Sequence, residues 1–560
     1  MKPIVQQQAS FRDLFTPKLV TVLREGYGLK DLRTDAVAGL TVAIVALPLS
    51  MAIAIASGAT PDKGLVTAII GGFLISALGG SRFQVGGPAG AFIPLVASTI
   101  AIHGYDGLVI ATFMAGIMLV AIGFLQLGTY IKYIPYPVTV GFTSGIAVII
   151  FVSQVRDLLG LTLGTTEPAE MLHKLPVLWQ ALPTVNAVAV ALSVGAVITI
   201  LVLKRWRPAI PGMLIAVAAG ALVTGLLHLP VETIGSRFGT LPTGISFYGL
   251  PGLSLSRVRD LMVPAIAIAM LGGIESLLSA VVADGMTGRR HRSNCELVAQ
   301  GIGNIASALF GGIPVTGTIA RTATNVRAGA RGPVAGMFHA LFILAFLAIA
   351  GGLMGYVPLA VLAGVLAVVA WNMAEKREFA SLLRASPGDA VVLLAAFLLT
   401  VFVDLTAGIG VGIVLGSLLF MHRMAEAMAV EGKVQLLDAD VADEIGPRGA
   451  YDPVEAKDRR IVTYRLSGAF FFGAAATVVS VFDRIGQPPT IFILDMSDVP
   501  FLDTTGANTL ESFVHKLERA GTHVIIAAPR ESVIATLAHF GLREPRLTIA
   551  RSPEAATAAA

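Results

Sequence analysis

Glu275 and Arg321 are the residues whose chemistry sits least easily with their surroundings. Glu275 is the single carboxylate in the apolar run Leu261 to Ala283, about one bilayer thickness of helix, where an ionised side chain costs roughly 2.5 to 3.5 kcal/mol. One explanation is a carboxylate neutralised by a neighbouring hydroxyl or backbone group and kept for packing. The other is a site that binds and releases protons. Ser279, four residues on, shares its helix face and is expected to donate to the carboxylate. Arg321 follows Gly311, Gly312, Pro314 and Gly317, which break a second apolar region. An acid and a base at membrane depth beside an interrupted helix are a combination that ion-coupled transporters use.

The interruption occurs twice. GGSRFQVGGPAGAF (Gly79 to Phe92) and GGIPVTGTIAR (Gly311 to Arg321) each open on a Gly-Gly pair and run through an extended stretch into a short apolar segment, the third and the tenth along the chain. They lie seven segments apart, so they take opposite orientations, as an inverted repeat of seven plus seven requires. Broken helices survive in lipid only where they line a cavity or are packed in protein. Each start also exposes amides carrying about half a positive charge. If Gly86, Gly87, Pro88, Ala89 and Gly90 met Gly317, Thr318, Ile319, Ala320 and Arg321 near the midplane, they would form an anion site. Glycine allows close backbone approach and proline suits a first helical turn, although such runs also mark ordinary loops. Arg321 would supply charge to the anion; the alternative is a side chain that snorkels to an interface or pairs with an acid. Ser50, just after Pro48 in the first segment, adds a hydroxyl or is a packing serine.

These residues must be positioned by membrane helices. The 560 residues are 55% hydrophobic and 14% charged, against about 25% charged in soluble domains, so the chain reads as a polytopic membrane protein. About fourteen apolar segments can span or half-span a bilayer, from Ala36–Ala56 to Gly408–Met424. The first 35 residues are mixed in charge without a signal-peptide core and read as a cytoplasmic segment. Loops after even-numbered segments carry most of the Lys and Arg, a split of about 13 to 6, which places both termini in the cytoplasm. The formal charge of +4 therefore reflects topology, and no basic patch with interleaved aromatics points to nucleic acid. The lone cysteine, Cys295, excludes an intrachain disulfide.

Composition changes near Met424. Residues 425–460 read as a charged linker with one edge strand, and residues 461–552 as a small α/β domain. Its strands are expected at IVTYRL, TIFILDMS and HVIIAA, and its helices at Phe470 to Ser480, Asp503 to Ala520 and Glu531 to Phe540. The whole divides into a segment 1–35, a transmembrane domain 36–424 with repeats at about 36–230 and 257–424, the linker and the soluble domain.

On these residues the chain resembles the SulP family of anion transporters and, within it, most closely the bacterial C4-dicarboxylate transporters of the DauA type. The resemblance rests on DAVAGLTVAIVALPLSMAIAIASG (from Asp35), the two Gly-rich stretches, YIPYPVTVGFTSGI (from Tyr133), GGIESLLSAVVADGMTGRRHRSNCELVAQGIGNI (from Gly272) and VAWNMAE (from Val369). ILDMSDVPFLDTTGANTL (from Ile493) resembles the STAS-domain signature. The resemblance implies fourteen spans in core and gate parts, elevator-like alternating access, a homodimer in the bacterial inner membrane, and cytoplasmic STAS domains open to a regulator. It implies that Glu275 is the coupling acid and Arg321 the basic residue at the anion pocket. Sodium-coupled bicarbonate members have Asp where this chain has Glu275 and Thr where it has Ile319, so a hard oxygen ligand is missing and proton coupling is expected. Thr505 matches the serine phosphorylated in soluble STAS proteins, though a hydroxyl there also suits a plain cap. The expected activity is proton-coupled uptake of a C4-dicarboxylate or sulfate, without enzymatic chemistry, cofactor or metal. Sodium-dependent bicarbonate uptake, an uncoupled exchanger or conductor, and a membrane-tethered signalling protein are the rivals.

Overall fold

A computed structural model describes residues 11–129, 135–164, 167–168, 170–207, 210–252, 254–403, 405–426, 429–432, 461–471 and 489–559. Most of the expected linker, residues 472–480 of the first soluble helix, Tyr133 and Ile134 lie outside them. The chain forms two compact units, Met1–Val414 and Leu415–Ala560.

Among the described residues, nine helices have the length and apolar composition to cross a membrane. Shorter helices complete the expected series: Gly212–Leu227, Ser293–Leu309, Ile319–Arg327 and Pro387–Phe402. The third and fourth segments are joined as Gly90–Phe124, bent at Gly104, whose φ of +72° and ψ of 177° are open to glycine without strain. The second span starts at Pro61, earlier than the hydrophobic run suggests, because a proline at the first helical position loses no hydrogen bond there. Inside that span, Thr67–Gly71 forms a π-helical turn.

Close packing rests on glycine. The helices Gly90–Phe124 and Ser293–Leu309 approach so nearly that a Cβ on Gly116 would lie 2.7 Å from the Gly301 carbonyl oxygen, and one on Gly301 would lie 2.5 Å from that of Gly116. In lipid, association depends on van der Waals contact between such small-residue faces. One helix of that pair is entered from Ala89 and Gly90 and the other leads on to Thr316, so its close packing bears on the position of both interrupted segments.

In the soluble unit, a five-stranded sheet has the order β3 (Ala429–Gly432), β4 (Ile461–Ser467), β5 (Ile491–Asp498), β6 (His523–Ala527) and β7 (Thr548–Ala550). Strands β4 to β7 are parallel and β3 is an antiparallel edge, the strand expected in the linker. Phe492, Leu494 and Met496 point to one face, against Leu510, Phe513 and Val514 of helix Thr504–Arg519. Ile493 and Ile525 point to the other, against Ala556 of helix Pro553–Ala559. Both β7 and that last helix were not expected from the sequence, since three residues of strand and an alanine-rich tail give no usable periodicity.

Replacing Gly301 by leucine over-packs the helix pair and is expected to cost about 1–3 kcal/mol, seen as a lower unfolding midpoint of the detergent-solubilised protein. Gly195→Ala, at a site where a Cβ meets nothing within 4 Å, is expected to leave the midpoint unchanged.

Candidate functional site

The two interrupted stretches meet. After helix Pro61–Leu78 the chain leaves helical geometry at Gly79 and enters β1 (Gly86–Gly87); after Ser293–Leu309 it turns at Gly311, φ +66°, and enters β2 (Thr316–Gly317). The strands pair antiparallel, Gly86 opposite Gly317 and Gly87 opposite Thr316. Beyond them Ala89 precedes a turn at Gly90–Phe92 and Thr318 precedes helix Ile319–Arg327, and no side chain caps either start. The first amides of both helices have no intrahelical acceptor and stay available to a ligand.

Because extended backbone in a membrane needs partners, side chains from neighbouring helices supply them. Asn304 acts as a substitute strand: its Oδ1 accepts from Val315 N at 3.0 Å and its Nδ2 donates to Val315 O at 2.7 Å. Thr67, in the π-helical turn, accepts from Ile313 N at 2.8 Å. Val85 N donates to Thr322 Oγ1 at 3.2 Å, Val85 O accepts from Thr318 N at 3.2 Å, and Asn325 Nδ2 donates to Phe83 O at 2.9 Å.

The glycines of the crossing seat two long polar side chains. A Cβ on Gly87 would lie 1.6 Å from Arg321 Nη1, and one on Gly317 would lie 1.5 Å from Gln84 Nε2. Arg321 extends from the second repeat over the first, and Gln84 from the first over the second. Arg321 is 1% exposed and donates to Gly86 O (3.4 Å), Pro88 O (3.3 Å) and Ser50 Oγ (3.1 Å). Its Nε has no partner, and among the described residues no carboxylate lies within ion-pair distance. Ser50 itself donates to Ala46 O at 2.6 Å, in the turn before Pro48.

Helix Met262–Thr287 braces the crossing from one face. Gly272 O accepts from Thr316 Oγ1 (2.8 Å), Ser276 Oγ from Gln84 Nε2 (2.9 Å), and Ser279 Oγ donates to Thr322 Oγ1 (3.0 Å). Residues 272, 276 and 279 are one helical stripe. Ser279 is therefore engaged with Thr322 instead of the carboxylate expected from the sequence, because the crossing offers a fixed hydroxyl where the Glu275 side chain does not reach it. Glu275, 8% exposed, makes no hydrogen bond or ion pair with any described residue, Arg321 included. Ile319 is 40% exposed and Ala320 is also exposed, so the start of that half-helix is not covered by the described residues.

Residues 32–396 match the model of the sulfate permease family, and residues 453–556 match the STAS domain. The chain belongs to the sulfate permease family. YvdB of Bacillus subtilis, whose name attributes sulfate transport to it, is 40% identical to this permease over 507 residues, 90% of the chain and 92% of YvdB. The bicarbonate transporter BicA of Synechocystis is 31% identical over 510 residues, 89% of the chain and 88% of its own length. The solved transmembrane domain of a cyanobacterial BicA superposes with a TM-score of 0.62 at 32% identity, covering 69% of the permease and 99% of that domain. Murine Solute Carrier 26 family member A9, solved inward-facing, shares the fold, with a TM-score of 0.82 at 18% identity over 100% of the chain and 96% of its own. The protein is thus a multi-pass membrane anion transporter of this family with a C-terminal STAS domain.

In the STAS unit of the permease, the helix start is capped by Asp503, whose Oδ1 accepts from Gly506 N at 2.7 Å. Thr505 is not the cap: it lies one position into the helix, exposed, and its hydroxyl makes no hydrogen bond with any described residue. Gln84, Ser276, Thr322, Asn304 and Thr67 were missed by sequence reading. Their signal was faint but physical: each is a polar residue inside or beside a span, where a partner is obligatory.

If Gly87 exists to admit Arg321, then Gly87→Ala and Arg321→Ala remove one interaction by two routes. Each is expected to weaken anion binding by roughly 1.5 to 3 kcal/mol, about 10- to 150-fold, and the double variant to be no weaker than Arg321→Ala alone. Calorimetry on the four proteins checks this; additive losses would separate the glycine from the guanidinium.

Proposed function

We propose that the protein is a proton-coupled secondary transporter that takes up a small anion, sulfate or a C4-dicarboxylate, through an elevator-like movement of the crossing and its bracing helices. The observation that carries this reading is the buried Arg321 guanidinium, with no carboxylate among the described residues within ion-pair distance, at two converging uncapped helix starts. A buried cation without a counter-charge is costly, and an anion held by those amides and the guanidinium offsets that cost while it is bound. A guanidinium fork suits both the carboxylate and the sulfate group.

Proton coupling is favoured by Glu275. It stands one residue before Ser276, which is bonded to the crossing through Gln84, so protonation and loading share a rigid frame. Sodium-coupled uptake of bicarbonate, the ion that BicA is named for transporting, finds hydrocarbon at the Ile319 side chain, which offers no oxygen to a hard cation. The loop-charge asymmetry supports cytoplasmic termini in a bacterial inner membrane, and we take the working unit as a homodimer.

Uptake of labelled sulfate, bicarbonate, succinate, fumarate and aspartate into proteoliposomes, under imposed proton or sodium gradients, tests the reading. An inward proton gradient is expected to drive accumulation of sulfate or a dicarboxylate; accumulation only under a sodium gradient would overturn it. Glu275→Gln is expected to abolish gradient-driven accumulation while leaving anion binding within about threefold, since no charge-assisted contact to the anion is removed. A Gln variant that still concentrates substrate with wild-type pH dependence would remove Glu275 from coupling.

A further inference from the structure

A second basic cavity lies away from the crossing, at the ends of the same helices. About 330 Å³ in volume, it is lined by Arg82 before β1, Arg289 after the Glu275 helix and Arg331 after the Arg321 helix, with Glu25 and Asp31 from the start of the chain. Its two acids are already engaged: Glu25 Oε1 accepts from Arg82 Nη2 at 2.5 Å, and Asp31 Oδ2 accepts from the Gly28 amide at 3.0 Å. The hydrogen bond from Arg82, with the charges of Arg82, Arg289 and Lys18, holds the Glu25 carboxyl below its ordinary range, so it stays ionised and paired. Tyr27, also on the wall, donates to Asp35 Oδ2 at 2.7 Å. Asp35 in turn accepts from the Arg331 and Gly332 amides, at 2.6 and 3.3 Å, which fixes the loop carrying Arg331. The side chains of Arg289 and Arg331, by contrast, make no hydrogen bond or ion pair with any described residue.

We propose that this cavity is a binding site for a phosphate group, held by Arg289 and Arg331 with Arg82 as the paired wall. Two unpaired guanidinium forks in one concave site match tetrahedral phosphate oxygens better than a point-charge lysine site does. Loop charge puts the cavity on the cytoplasmic side, at headgroup level. Beside the wall residue Asp31, Leu29, Leu32 and Val37 of the first span are exposed apolar side chains that acyl chains can touch. The phosphate can therefore arrive on an anionic phospholipid or as the free ion. Because the three arginines end the strand approach, the acid helix and the arginine helix, an occupant would tie together the parts that carry the anion site. The inference uses the orientation given above and is independent of which anion is transported.

The full-length protein is reconstituted in nanodiscs of phosphatidylcholine, alone or with equal parts of phosphatidic acid, and inorganic phosphate is titrated into the phosphatidylcholine discs; the unfolding midpoint is read throughout. The midpoint is expected to rise in at least one arm, in the phosphate titration if the free ion binds and only in phosphatidic acid discs if the headgroup does. R289Q/R331Q is expected to weaken the effect by about tenfold or more in concentration, whereas K30Q/R33Q, with the same change in charge outside the cavity, keeps it. No rise in either arm, or a full rise in R289Q/R331Q, would overturn the proposal.

Discussion

The structure depends on one constraint: a guanidinium must be held at membrane depth with no carboxylate among the described residues beside it. Arg321 meets it by crossing the first repeat over Gly87, where no side chain intervenes, and by donating to the carbonyls of Gly86 and Pro88 and to Ser50. Carbonyls are dipoles and leave net charge uncompensated. Everything nearby keeps that geometry: β1 and β2 pair because their backbones have no water to turn to, and Asn304, Thr67, Thr322 and Asn325 serve as partners for what the two-residue ladder leaves unpaired.

The same economy explains why the repeats are inverted. Two half-helices of one orientation would add their dipoles along the membrane normal; in opposite orientation they present both starts to the centre, where Ala89 and Thr318 stand uncapped. The exchange of Gln84 over Gly317 for Arg321 over Gly87 is the visible remnant of that symmetry. Its two halves have diverged chemically: Gln84 is neutral and bonded to Ser276, while Arg321 is charged and faces carbonyl groups. Divergence of this kind turns a symmetric frame into a site with one cationic wall, and it leaves Glu275 close to the frame but free of bonds to it.

Much of this was legible in the sequence because it follows from unusual residues in apolar surroundings. The Gly-Gly pairs at Gly79 and Gly311, the span count from hydropathy, and the relation of the third and tenth segments needed only periodicity and bilayer thickness. Pairwise bonds were not legible. Ser279 shares a helix face with Glu275, yet its hydroxyl goes to Thr322, forty-three positions away, because distant segments compete for a donor and helical spacing knows only its own helix. Thr505 had the type of a cap, but Asp503, two residues earlier, has the reach to Gly506 N. Helix ends such as Pro61 and the continuous Gly90–Phe124 were blurred because hydropathy reports where lipid is, not where hydrogen bonding starts.

The central claim, that a transported anion rests on the two helix starts beneath Arg321, is tested most directly by protection of an introduced thiol. Ile319 is the exposed first residue of the second half-helix, and the native Cys295 is buried. In a transport-competent Ile319→Cys protein, the rate of modification by a charged methanethiosulfonate is predicted to fall as the transported anion saturates its site, and not to respond to an anion that is not transported. A rate that is the same with and without saturating substrate would contradict the account.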